Sequence, residues 1–193
     1  MKPRALLLVA VLGVGGGLSG CGLDPLRDDG RHGMGTMRMT MVSSEAAYLA
    51  EMISHHQEAV EAAEELDRSS RAEMRDLGEG IVRTQTAQIE QMRSWLAQWY
   101  PEQPTDTAYR PMMRDLSGMT GDALDRAFLE DMVGHHMMAV MMSRHLLANR
   151  DLTHPQVAEL AERITDEQRA EMRQMRRWLA TWFGQRTLGG HMS

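Results

Sequence analysis

The sequence predicts an all-α protein, a four-helix bundle assembled from two repeated helical hairpins. Three observations lead there. Four long stretches carry apolar residues at a spacing of three and four, the period of a helix with one buried face. The first and third stretches are copies at an offset of 80 residues, and the second and fourth at an offset of 83. A His-His pair recurs at the same place in the two copies, His55-His56 and His135-His136. Two hairpins of this kind close into a bundle.

The first helix should run from about Ser44 to Leu66. Tyr48, Leu49, Met52, Ile53, Ala59, Val60, Ala62, Ala63 and Leu66 fill one half of its wheel, and a row of Glu fills the other. Both histidines fall in the apolar half. The second helix is expected to begin at a capping box, Ser70-Arg-Ala-Glu73, and to stop before Pro101. Its inner face reads Met74, Leu77, Ile81, Val82, Ile89, Met92, Trp95, Leu96 and Trp99, with Gln85 in the middle.

Residues 101–120 hold Pro101, Pro104 and Pro111 and form a connection long enough to cross between hairpins. The third helix spans about Asp122 to Asn149, with Leu124, Phe128, Leu129, Met132, Val133, Ala139, Val140, Leu146 and Leu147 inward. The fourth opens with Thr153-His-Pro-Gln156, a second capping box with proline in the first turn. It ends near Gly184, a suitable C-terminal stop. Gln168 stands at the centre of its apolar face, as Gln85 does in the second helix.

The domain plan is therefore a leader over residues 1–20, a tether over 21–42, the bundle over 43–183 and a disordered tail over 184–193. Lys2 and Arg4 precede an apolar run from Ala5 to Val14, too short for a mature span, and Leu18-Ser19-Gly20-Cys21 follows. That order reads as a lipoprotein signal peptide. Cleavage before Cys21 would leave its sulfur to take a lipid, and the chain would sit outside the cytoplasm, anchored to a bacterial membrane. Cys21 is the only cysteine, so no internal disulfide can form. The tether contains His32-Gly-Met34-Gly-Thr-Met37-Arg-Met39-Thr-Met41. It reads either as a spacer of biased composition or as a segment that binds soft metal ions, since thioethers favour Cu(I).

The net charge of −6 becomes −8 when the leader takes Lys2 and Arg4 with it, which argues against nucleic acid as a partner. A buried glutamine must find a hydrogen-bond partner. Counted back from the hairpin turns, His136 and Gln168 come out level, and His56 and Gln85 agree to within about one turn. Each Gln could then take one ring N–H and leave the other nitrogen free to hold a metal. On the third helix His135, Met138, Met142 and His145 follow at intervals of three, four and three, one stripe. Met137 and Met141 point to solvent, where methionine has no core to fill. The candidate metal ligands are thus His55, His56, His135, His136, Met138, Met142 and His145, with Gln85 and Gln168 behind them. The bland alternative keeps Met52, Met92, Met132, Met172 and Met175 as core filler and the His-Gln pairs as a satisfied polar network.

The segments Met52-Ile-Ser-His55-His56-Gln-Glu-Ala59 and Phe128-Leu-Glu-Asp131-Met132-Val-Gly-His135-His136, each followed by a helix with Gln85…Met92…Trp95-Leu96 or Gln168…Met175…Trp178-Leu179, resemble the family named domain of unknown function 305. The likeness covers about residues 43–183. It implies a ferritin-like four-helix bundle in an exported bacterial protein, and copper bound through Met and His, since some members bind it so. No activity is established for the family.

Three functions are in play. One is an envelope lipoprotein that sequesters or transfers copper, with no catalytic residues and the metal ion as its partner. The second is a ferritin-like di-metal oxidoreductase, which needs inward Glu-x-x-His motifs. Glu51 and Asp131 stand four residues before His55 and His135, not three. The third is a structural or interaction bundle without metal.

Overall fold

The structure, a computed structural model, describes residues 44–104, 107, 109–148 and 152–185. The expected leader, Cys21, the Met-rich tether and the tail beyond Gln185 lie outside them. No described helix is long and apolar enough to cross a membrane.

Four helices carry the fold: α1 (Glu45–Glu64), α2 (Ala72–Trp99), α3 (Gly121–Ala148) and α4 (Pro155–Phe183). No strand occurs among the described residues, and the chain is a four-helix bundle. Helix α1 packs along α2 and α3 along α4, and the hairpins meet chiefly through α1 and α3. The apolar residues fall into two clusters. One takes the start of α1, the end of α2, the end of α3 and the start of α4. The other takes the opposite ends, together with Leu116. Helices α1 and α4 therefore run one way, and α2 and α3 the other. Residues 100–120 must travel the length of the bundle between α2 and α3, the single long crossover of ferritin-like folds.

The helix ends show which local signals operate. Ser44 caps α1, its hydroxyl accepting from Ala47 N at 3.1 Å. After Glu64 the chain tightens into a 3-10 turn, Glu65–Arg68. The two expected capping boxes do not form. Arg71, not Ser70, stands at the N-cap of α2, and Ser69 Oγ accepts from Arg71 N instead. At α4 the N-cap is His154, and the amides of Thr153 and His154 donate to Glu45 at 3.0 and 3.1 Å. A buried carboxylate from another helix takes the Thr153 amide that the Gln156 side chain would otherwise cap. Pro155 opens α4 and Gly184 closes it at φ 65°, as the sequence suggests.

Gly78 marks the closest approach of α1 and α2. A Cβ there would lie 2.7 Å from the carbonyl oxygen of Ala63 and 3.0 Å from Leu66 Cβ. The matching position in the second hairpin is Ala161, which is buried and keeps its methyl group.

The crossover is pinned by two side chains of the first hairpin. Glu58 accepts from the amides of Met112 and Met113 at 2.6 and 2.8 Å. Arg68 donates to the carbonyls of Leu116, Ser117 and Met119 at 3.0, 3.1 and 2.9 Å. Glu58 thus holds the crossover against α1, and Arg68 holds it beside the 3-10 turn.

Candidate metal centre

Each helix changes character at its midpoint. Between the two apolar clusters α1 presents His55 and His56, α2 Gln85 and Gln88, α3 His135 and His136, and α4 Gln168 and Glu171. The result is a polar belt across the waist of the bundle. All four imidazoles are buried. The rings of His55 and His135 lie with centroids 3.6 Å apart and planes at 34°. His55 and His56 are 6.3 Å apart at 52°, and His135 and His136 repeat both values. The hairpins are thus related by an approximate two-fold passing between His55 and His135.

Three of the rings have a partner on Nε2. His56 Nε2 meets Gln88 Oε1 at 2.8 Å, and Gln88 in turn donates to Glu167 at 2.8 Å. His136 Nε2 meets Glu171 Oε2 at 2.5 Å. His135 Nε2 lies 3.2 Å from Glu58 Oε2 and 3.5 Å from the Tyr109 hydroxyl, which itself donates to Glu58. Each acceptor fixes the ring proton on Nε2 and leaves Nδ1 with a free lone pair. His55 has no partner on either nitrogen.

The expected partners, Gln85 and Gln168, are buried in the belt, but no hydrogen bond reaches their amides. The imidazoles use the residues three positions further along the same faces, Gln88 and Glu171. Of the ten buried side-chain polar atoms without a hydrogen bond among the described residues, nine belong to this belt, including Nδ1 of all four histidines. Buried polar groups are ordinarily paired, so this concentration sets the belt apart from the rest of the core.

Electrostatics keep His55, His56 and His135 neutral. Burial, with the neighbouring His135, His56 and His136, pushes His55 well below the usual imidazole value. Burial brings His56 down to about 3, against the opposing bond to Gln88. It also lowers His135, although Glu58 opposes it. Burial disfavours the Glu58 carboxylate, but hydrogen bonds from His135, Tyr109 and the Met113 amide outweigh it and bring its value to about 2. A neutral imidazole is the form that binds a metal.

The stripe on α3 does not gather into one place. Met138 is half-buried one turn from His135. Met142 is buried in the first apolar cluster. His145, also half-buried, follows His135 by ten residues, about 15 Å along the helix, too far to share its guest. Asp131 is engaged elsewhere, holding Arg114 through two bonds of 2.7 and 2.6 Å. Met137 and Met141 are 38% and 42% exposed, and Met52, Met92, Met132, Met172 and Met175 are buried in the core. Among the described residues no three His, Cys, Asp or Glu side chains are set as a finished metal cage. The four imidazoles fit a metal by their free Nδ1 nitrogens.

Sequence reasoning passes over Gln88, Glu171, Glu58 and Tyr109. Gln88 and Glu171 carry a signal: they match at the offset of 83, one turn past Gln85 and Gln168. Glu58 carries none, since it sits on the polar half of the wheel and meets His135 only because α3 crosses there.

The model of the family described as domain of unknown function (DUF305) matches residues 45–179 and again 125–193. The chain belongs to the DUF305 family. Solved DUF305 structures share the fold. A fragment from Deinococcus radiodurans is 32% identical, with a TM-score of 0.62 over 70% of this chain and 95% of that one. A DUF305 protein from Streptomyces coelicolor, described as secreted, is 28% identical, with a TM-score of 0.64 over 77% and 98%. CopM in its Cu(I)-bound form is 30% identical, with a TM-score of 0.65 over 73% of this chain and 99% of CopM. CopM has also been solved in Cu(II)-bound and silver-bound forms. None of the curated proteins matches.

Proposed function

We propose that this DUF305 chain is an extracytoplasmic copper-binding protein, and that the belt at the waist of the bundle receives the ion as cargo. The observation that carries the reading is the set of four buried Nδ1 nitrogens with no hydrogen bond. Imidazole nitrogen suits copper, and thioether sulfur adds preference for Cu(I). His55, His56, His135 and His136 would supply the nitrogen, and Met138, one turn along α3 from His135, a thioether. Met142 and His145 would serve further along α3. Gln88, Glu171 and Glu58 orient the rings, which is the usual task of groups behind metal ligands. The structures of CopM with Cu(I) and Cu(II) support the reading at 30% identity.

The leader ending at Cys21 supports export and a lipid anchor, so the protein would hold or hand on copper at the outer face of the membrane. No catalytic residue is assigned. Glu58 and Glu171 each meet an imidazole rather than bridging a pair of metal positions, which leaves a di-metal oxidase without its carboxylate frame.

Titration of the mature chain with Cu(I) and Cu(II) tests the proposal. Replacing His55, His56, His135 and His136 together by Leu should abolish tight binding while circular dichroism still reports helix. Unchanged affinity in that variant would end it.

A further inference from the structure

The two-fold in the fold is broken in the chemistry of the site. Position 58 on α1 and position 138 on α3 are equivalent at the offset of 80, and positions 88 and 171 at the offset of 83. The first pair is Glu58 and Met138, the second Gln88 and Glu171. Both carboxylates serve the second repeat: Glu58 stands 3.2 Å from His135, and Glu171 2.5 Å from His136. The imidazoles of the first repeat meet no carboxylate directly among the described residues. Gln88 holds His56 at 2.8 Å, and His55 is without a hydrogen bond on either nitrogen. Glu58 reaches His135 across the α1–α3 contact, and the two-fold turns that approach into one of Met138 toward His55. Met138 is half-buried and packs against the apolar cluster that contains Met52 and Ile53.

We infer that the belt is two unlike half-sites, a soft one of His55, His56 and Met138 that prefers Cu(I), and a hard one of His135 and His136, backed by Glu58 and Glu171, that prefers Cu(II). The chemistry follows from the groups. A thioether with neutral imidazoles donates soft density without adding charge, which suits a monovalent ion in a buried place. A carboxylate on the far nitrogen raises the basicity of an imidazole and brings negative charge near a divalent ion. The inference rests on the copper reading above and goes beyond it, since that reading does not divide the belt.

Two single variants separate the halves. Met138→Leu keeps the bulk of the side chain and removes the sulfur. It should lower Cu(I) affinity by about tenfold or more and remove sulfur from the Cu(I) X-ray absorption spectrum, while Cu(II) affinity stays as in the parent. Glu58→Gln should do the reverse, lowering Cu(II) affinity by about tenfold and altering the Cu(II) paramagnetic resonance spectrum, with Cu(I) affinity unchanged. Retained sulfur scattering and unchanged Cu(I) affinity in Met138→Leu would overturn the division, as would equal losses for both ions in Glu58→Gln. The fourfold histidine variant keeps the outcomes apart. If it binds copper as the parent does, the copper site itself is misplaced. If it loses copper while Met138→Leu changes nothing, only the division is wrong.

Discussion

The His55 ring lies 3.6 Å from the His135 ring, centroid to centroid, and neither His55 nitrogen has a hydrogen bond. Two imidazoles from different hairpins thus meet on the two-fold of the bundle, with no hydrogen bond among the described residues to repay the desolvation of His55.

Replacing His55 by Leu should therefore stabilise the metal-free protein. An unpaired buried polar group costs about 1–3 kcal/mol, and the gain should be of that order. Urea unfolding in the presence of a chelator measures it. The same variant should bind copper more weakly, so stability and function move in opposite directions. A less stable His55→Leu protein would mean that the ring is satisfied in a way the geometry does not show.

His56→Leu should behave differently. It strands Gln88 Oε1, which accepts from His56 at 2.8 Å. The metal-free variant should lose stability by about 1 kcal/mol rather than gain it. The double replacement His56→Leu with Gln88→Leu should recover most of that loss in the same unfolding assay.

Acid should weaken the metal-free fold. His55, His56 and His135 are held below the ordinary value of 6.5, His56 at about 3. Below pH 6.5 the unfolded chain takes up protons that the folded chain refuses. Stability is then fully present above pH 6.5 and falls as pH drops toward 3, at up to about 1.4 kcal/mol per pH unit for each such ring. Glu58 adds a later loss, present above its unfolded value of 4.5 and removed as pH falls through about 2. Melting temperatures between pH 7.5 and 4 should decline steadily, and much less in the fourfold histidine variant.

Arg71→Met should destabilise the far end of the bundle. Asp125 is fully buried, and Arg71 reaches it at 2.5 Å while lying over the rings of Trp182 and Phe183. Loss of one partner of a buried pair leaves a charge without compensation. Arg71 is 25% exposed, so about 2 kcal/mol is expected rather than the larger cost of a fully buried pair. Adding Asp125→Leu should restore most of it, as urea midpoints would show.

Gly78→Ala should cost about 1–3 kcal/mol, because its Cβ would press on the Ala63 carbonyl at 2.7 Å. Thermal melting of the variant checks this, with Ala161→Gly in the second hairpin as the reverse case. There the removal of a buried methyl should weaken the fold as well, so the two equivalent positions each require the residue they have.

The helices and their repeat could be read from spacing alone, because an apolar stripe has one period and the copies reinforce each other. The histidine pairs could be found for the same reason. Their hydrogen-bond partners could not. Helical counting places residues along an axis to about one turn, and the choice between Gln85 and Gln88 lies within that turn. Glu58 was hidden for a different cause. Its role depends on which helix crosses α1, and no periodicity within α1 records that. The capping box at Ser70 yields to the neighbouring Ser69 hydroxyl, and the one at Thr153 to a tertiary partner, Glu45, which takes the amides of Thr153 and His154 just before α4.

Glu58 also joins the interior to the outside. The same carboxylate that faces His135 takes the amides of Met112 and Met113 in the crossover. A guest that turns the His135 ring must disturb this carboxylate, and the disturbance passes to two half-buried peptide groups of the crossover. Deuterium uptake at those two amides would then report occupancy of the buried belt from outside it.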